Sequence, residues 1–269
     1  MTKIERLPLA IIIIWMLFSC SPERKLAKKF VENTSKPALL VLMPSSIFKE
    51  NLKLSDGKTP DSLTQAVIID KLIDSIVINR FNTRFVKELR NYGLQVFQEG
   101  AVADFMNVDS NAWVVNVAQF ELQEYVTTYV DMQELFGMEY SYEVPLNGVN
   151  SAYWFEFSRV NAPDNAKPEV MFAANDLYDQ FDGKLNYDIF SGAMNYQYWT
   201  DTITVADFYR HIDFSARLYA GYTFDYLMNS YIGSQIQKPE QTVNYFRFDP
   251  YRKSYFITLD DRFIPLENR

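Results

Sequence analysis

The run Ala38-Leu39-Leu40-Val41-Leu42-Met43, closed by Pro37 and Pro44, most constrains the fold. Its six unbroken apolar residues leave no face for water. A strand of this kind must be covered on both sides, as the centre of a parallel layer is. The next segment changes period. From Ser62 to Tyr92, Leu63, Ala66, Val67, Leu72, Ile76, Phe81, Phe85 and Leu89 recur at three- and four-residue steps, with a slip or break between Asp74 and Asn79. Gly93 stands where a helix would stop. Leu94-Gln95-Val96-Phe97 reads as a second strand, Ala101 to Met106 as one helical turn, and Ala112-Trp113-Val114-Val115-Asn116-Val117 as the start of a long third strand. Strand, helix, strand, turn, strand predicts a parallel βαβ layer.

From residue 119 the period shortens to two. Candidate strands are 112–131, 138–146, 151–160, 168–175, 184–190 and 193–200, parted by Gly137, Asn147-Gly148, Pro163-Asp164 and Asp182-Gly183. Tyr153, Phe155 and Phe157 alternate with Trp154, Glu156 and Ser158, the mark of a strand buried on one face. A helix from about Thr204 to Ile232 follows, with Thr204 and Asp207 as a capping pair, Gly233 as a stop, and Val205, Phe208, Ile212, Ala216, Tyr219, Thr223 and Tyr226 as its inward stripe. Val243 to Leu266 reads as a hairpin turning near Asp249-Pro250-Tyr251-Arg252. The expected fold is α/β to α+β. A parallel βαβ first half and an antiparallel, Tyr/Phe-rich second half packed on a long helix form one globular domain over 37–269. The 16% aromatic content suits a β-rich core or an aromatic binding surface.

The N-terminus reads as an export signal over 1–19. Lys3 and Arg6 precede an apolar stretch from Leu7 to Phe18, too short for the roughly 20 residues that span a bilayer. Leu17-Phe18-Ser19-Cys20 resembles the lipobox of bacterial lipoproteins, and Cys20 is the one cysteine of the 269 residues. Acylation there would leave no free thiol for the oxidising envelope, nor one for a disulfide or thiolate metal site. Ser21 lacks the acidic retention signal of inner-membrane lipoproteins, so the outer membrane is expected. The net basic stretch Pro22 to Lys29, attracted to an anionic leaflet, favours the periplasmic face. Residues 20–36 read as an acylated polar tether.

The net charge of −8 leaves no basic track for phosphates and disfavours nucleic acid as a partner. The nine glycines form neither a dinucleotide fingerprint nor a phosphate loop, and G-x-S-x-G is absent. His211, the sole histidine, borders the inward stripe of the long helix and reads as a packing or capping residue. It can complete no His-based metal site without a second His or Cys. Asp176, Asp179 and Asp182 form the densest acidic group, with Asp188 beyond. Their spacing of three does not match the alternate acids of an EF-hand, so a solvated hairpin turn is the reading. No cofactor, metal or catalytic residue is expected.

The element order of 37–131, with the strand from Trp113 to Leu122 after a short helical turn, resembles the α/β domains of curli-secretion and penicillin-binding-protein-activator lipoproteins. The lipobox, tether and Tyr/Phe-rich half resemble uncharacterised outer-membrane lipoproteins of Bacteroidota. The resemblance implies a non-enzymatic accessory or binding subunit of an outer-membrane assembly, secretion or envelope-maintenance complex. Its membrane contact would be acylated Cys20 and its partner an envelope protein. The alternative is a glycan-binding protein or carbohydrate-active enzyme using aromatic stacking and a carboxylate pair.

Overall fold

A computed structural model describes residues 22–33, 36–53, 63, 67–108, 111–162, 168–236, 245–258 and 263–265. The proposed signal and Cys20 lie outside the described residues. The chain is of the α/β to α+β class, built on a seven-stranded mixed sheet. In chain order the strands are β1 (Ala38–Leu42), β2 (Phe48–Asn51), β3 (Gln95–Gln98), β4 (Ala112–Leu135), β5 (Met138–Arg159), β6 (Glu169–Tyr178), β7 (Gln180–Tyr187), β8 (Met194–Asp201), β9 (Tyr245–Asp249), β10 (Ser254–Thr258) and β11 (Phe263–Pro265). Among the described residues the α-helices are α1 (Pro22–Glu32), α2 (Asp74–Asn91), α3 (Val102–Met106) and α4 (Val205–Gln235).

The main sheet runs β11-β6-β5-β4-β1-β3, with β2 added to β4. β1 pairs in parallel with β3 and β4, while β5, β6 and β11 continue antiparallel. β1 is covered on both sides, as its composition requires. Leu39 and Val41 join the large core under α2 and α4; Ala38 and Leu40 pack with Phe105 of α3. The large core is aromatic. Tyr153 of β5 lies 4.8 Å from Phe81, 4.3 Å from Phe120 and 5.0 Å from Tyr219 between ring centroids, joining sheet, α2 and α4.

The helical period from Ser62 resolves into a 3-10 turn over Ile69–Lys71 and α2 from Asp74. Leu72 and Ile73 are extended because Lys49 of β2 donates to the Leu72 carbonyl at 2.6 Å and pairs with Asp74 at 2.6 Å. Gly93, at φ +79°, ends α2 as expected. α4 begins with the Thr204–Asp207 capping box, but runs past Gly233 to Gln235, in an exposed last turn that tolerates glycine.

The tether and the centre of β5 differ from the sequence reading. The tether is helical over Pro22–Glu32, with Pro22 in the first turn where proline is favoured. Ala27 and Phe30 are buried, and Phe30 packs 5.5 Å from Phe224 and from Tyr231 of α4. The expected turn at Asn147-Gly148 is the middle of a continuous β5. The 243–266 hairpin is present as β9–β10, where Asp249 Oδ1 accepts from Tyr251 and Arg252 N–H in the turn, but β11 leaves it to pair with β6. No helix among the described residues is long and apolar enough to cross a membrane.

Candidate functional site

β4 and β5 pair along their whole length, from Trp113↔Arg159 to Leu135↔Met138. Their neighbours stop early: β2 pairs no further than Glu124, and β6 begins pairing at Gly148. Residues 125–147 therefore leave the body as a two-stranded ribbon, with about 3.3 Å of reach per residue and roughly 35 Å in all. An isolated ribbon is marginal in water. Here the β7–β8 hairpin covers it, making an arm of two layers.

The interface between the layers is built mostly from tyrosine. Tyr142 and Tyr196 stack with centroids 3.9 Å apart and planes 5° apart. Tyr129 meets Phe181 at 4.7 Å, and Phe136 meets Tyr187 edge-on at 5.3 Å. Asp131 is the polar centre: its Oδ2 accepts from Tyr196 OH at 2.8 Å and from Gln133 Nε2 at 2.8 Å. Burial, then the bond to Asp131 and its charge, push the Tyr196 phenol up to about 12. Gly183, expected in a turn, lies inside β7. A Cβ there would collide with Asp131 Oδ2 and the Tyr196 hydroxyl, so the glycine is a notch that admits both.

The arm's base is fixed by Asp179, which is buried rather than part of a solvated turn. Its Oδ2 accepts from Asn147 N at 2.9 Å and Asn147 Nδ2 at 2.8 Å, and its Oδ1 from Ile203 N at 2.8 Å. Gly148 beside it leaves room for Tyr125, whose ring would lie 2.8 Å from a Cβ. The Tyr125 hydroxyl donates to Asp176 Oδ1 at 2.8 Å, and that oxygen also accepts from Asn150 Nδ2 at 2.9 Å. Asp182 faces Trp199 across the β7–β8 pair. The acidic group thus divides into separate tasks, with Asp179 holding the joint and Asp176 holding Tyr125.

At the far end two turns present apolar side chains to solvent. Phe136 and Gly137 close β4–β5 at φ +54° and +75°, the pair of left-handed residues a tight hairpin turn needs. A phenylalanine is strained there by about 1–3 kcal/mol, yet its side chain is 71% exposed. In the β7–β8 loop, expected as strand, Ile189 is 81% and Phe190 101% exposed. Asp188 shapes this loop. Its carboxylate accepts from Phe190 N at 2.9 Å and Ser191 Oγ at 2.6 Å, and these bonds, the serine's first, hold it below the usual carboxylate range. Met132, Met138 and Trp199, each more than half exposed, extend the apolar surface along the arm.

His211 lies on α4 near the arm's base. Its Nε2 is 3.0 Å from Ser151 Oγ, and burial lowers its pKa. Ser151 is fully buried and also donates to Asn175 O at 3.2 Å. In this arrangement its hydroxyl is closed to a substrate, and the pair fastens α4 to β5. Leu177, Tyr178, Asp201, Asp207, His211 and Phe214 line a neighbouring cleft of about 290 Å³. The Asp207 carboxylate is engaged there by Thr204 and Arg210.

The sequence reading missed Phe136, Ile189 and Phe190. A usable signal was present in Phe136-Gly137 between period-two strands, and in Asp188-x-x-Ser191 before Gly192. No family model and no curated protein matches this chain. Among solved structures, a minor lipoprotein from Acinetobacter baumannii is similar at a TM-score of 0.27 and 11% identity, covering 76% of this chain and 96% of that one.

Proposed function

We propose that the chain is a lipid-anchored accessory subunit of an outer-membrane assembly, secretion or envelope-maintenance complex, working by binding rather than catalysis. Acyl chains on Cys20 would hold it to the periplasmic face of the outer membrane, and the arm would carry its docking surface to a protein partner. The observation that carries this reading is the solvent-exposed apolar tip formed by Ile189, Phe190 and Phe136, the last held at φ +54°. Exposed aromatic clusters of this kind mark interaction sites.

The layout of the body supports a protein occupant over the anchoring leaflet. α1, which starts two residues after Cys20, packs on the C-terminal half of α4 through Phe30, Phe224 and Tyr231. The start of β4 is at that same end, where Trp113 meets Tyr226 at 5.5 Å. The tip lies at the other end of the 24-residue β4, up to about 75 Å away along the strand. A tip so placed reaches away from the bilayer that holds the anchor.

The reading is tested with Ile189→Asp and Phe190→Asp together. The expected result is normal abundance and membrane fractionation, with the detergent-solubilised protein shifted from a larger complex to its own mass on native gels. An unchanged complex would refute docking through the tip.

A further inference from the structure

The acidic chain carries a locally basic groove beside the proposed anchor. The helix α1 holds Arg24, Lys25, Lys28 and Lys29 against Glu23 and Glu32, in a chain of net charge −8. The helix places Arg24, Lys25 and Lys28 next to Lys253, Ser254 and Tyr255 of the distant β9–β10 hairpin, and these six line a groove of about 470 Å³. Lys25, Lys28 and Lys253 are exposed. Lys28 makes a solvent-exposed contact with Glu32 at 3.7 Å, a pairing of little strength. Two chain segments more than 200 residues apart therefore bring four cations to one place.

The hairpin is held there by its docking on α4. Asn229 exchanges bonds with Phe246, donating to its carbonyl at 2.7 Å and accepting from its N–H at 2.9 Å, and Asp225 accepts from Phe248 N at 2.9 Å. The strand that supplies Ser254 and Tyr255 also exposes Phe256, at 46%, and Ile257, at 58%. Apolar side chains beside lysines are the composition of a surface that rests in a bilayer interface.

We infer that this groove binds the phosphate-bearing headgroups of anionic phospholipids in the leaflet that holds the anchor. Position argues for that occupant, and the inference rests on the Cys20 reading in this respect. Pro22 begins α1 two residues after Cys20, within about 7 Å of it along the chain. The first turn of α1, about 5 Å long, then starts beside the headgroup layer, which adds about 5–8 Å on each side of the hydrocarbon. Lipid contact there would fix the tilt of the body on its acyl chains and so the direction of the arm.

The test separates the groove from the anchor by using the mature chain with Cys20→Ser, which cannot be acylated. Vesicles of phosphatidylcholine alone are compared with vesicles that include phosphatidylglycerol, by co-sedimentation at low and physiological salt. The expected result is binding to the anionic vesicles only, weakening as salt rises. Replacing Lys25, Lys28 and Lys253 by Gln should each weaken it about fivefold, the factor for one cation near an anionic surface. Lys87→Gln, on the exposed face of α2, is the control and should bind as the parent does. Equal binding to both vesicles, an unchanged triple variant, or displacement by inorganic phosphate beyond that of chloride at equal ionic strength would each overturn the inference. Membrane fractionation of Cys20→Ala in cells reads the anchor independently, so either can fail alone.

Discussion

Asp179 holds Asn147 by three hydrogen bonds: its Oδ2 accepts from Asn147 N at 2.9 Å and Nδ2 at 2.8 Å, and its own N–H reaches Asn147 O at 2.9 Å. The same carboxylate accepts from Ile203 N at 2.8 Å, so one side chain joins β5, the β6–β7 corner and the entry to α4. Asp179→Ala would orphan buried N–H groups at about 1–3 kcal/mol each. We expect a loss of about 3 kcal/mol, lowering Tm by roughly 6–12 °C in a chain of this size. Asp176→Ala, on the exposed rim, should cost under about 1 kcal/mol. Thermal unfolding of both variants checks the contrast.

Asp225 gives the fold a pH dependence. It is buried in α4, and burial pushes its carboxyl up to about 8, against smaller downward effects of the Phe248 N–H and the Arg247 charge. Glu88, Asp249 and Tyr92 share its neighbourhood. A carboxyl with a folded pKa above its unfolded one binds its proton more tightly when folded. Its stabilising effect is full below about pH 4 and is lost as pH rises to about 8. The contribution of Asp225 to stability should therefore fall across that window by an amount of the order of several kcal/mol, while His211, whose pKa burial lowers, contributes with the opposite sign. Asp225→Asn keeps an acceptor for Phe248 and should remove most of the slope. Denaturant titrations at pH 5 and pH 8 compare the two.

The arm should open as a unit when its interior is disturbed. Gly183→Ala forces a methyl group against Asp131 and Tyr196, which must separate the layers. Hydrogen exchange should then quicken across β7, β8 and residues 125–147. The core strands β1 and β4 up to Glu124 should keep their protection. Equal loosening throughout would mean that the arm and the body unfold together.

The fold class was legible because periodicity reports it locally. Ala38 to Leu42 had to be covered twice, and Tyr153, Phe155 and Phe157 had to share a buried face. α1 was missed because its apolar side is short: Leu26, Ala27, Phe30 and Val31 sit among charged residues and gain burial from distant segments, α4 among them, almost 200 residues later. Asn147-Gly148 has the composition of a turn, but the glycine makes room for the Tyr125 ring, a cross-strand contact that no local pattern records. Asp179 looks like any other acid of its group until the fold supplies its three donors. The arm was hidden for a similar reason. Two hairpins must lie on each other before Tyr142 and Tyr196 become a contact, and before Phe136 and Phe190 become a tip.

The anchor has its own test. Cys20→Ala should release the mature protein to the soluble periplasmic fraction or leave an uncleaved precursor. A cleaved variant that still fractionates with membranes would contradict lipid attachment at Cys20.

The central claim, that the tip docks on a protein, is read most directly by photo-crosslinking in intact cells. A photoreactive residue is placed at Phe190 and, as a control, at Ile76 on the exposed surface of α2. The account predicts one dominant protein adduct from position 190 and none from position 76. That adduct should disappear when Phe136→Asp is added, with abundance unchanged. A tip that crosslinks only to phospholipid, or to the same mixture of proteins as position 76, would contradict it.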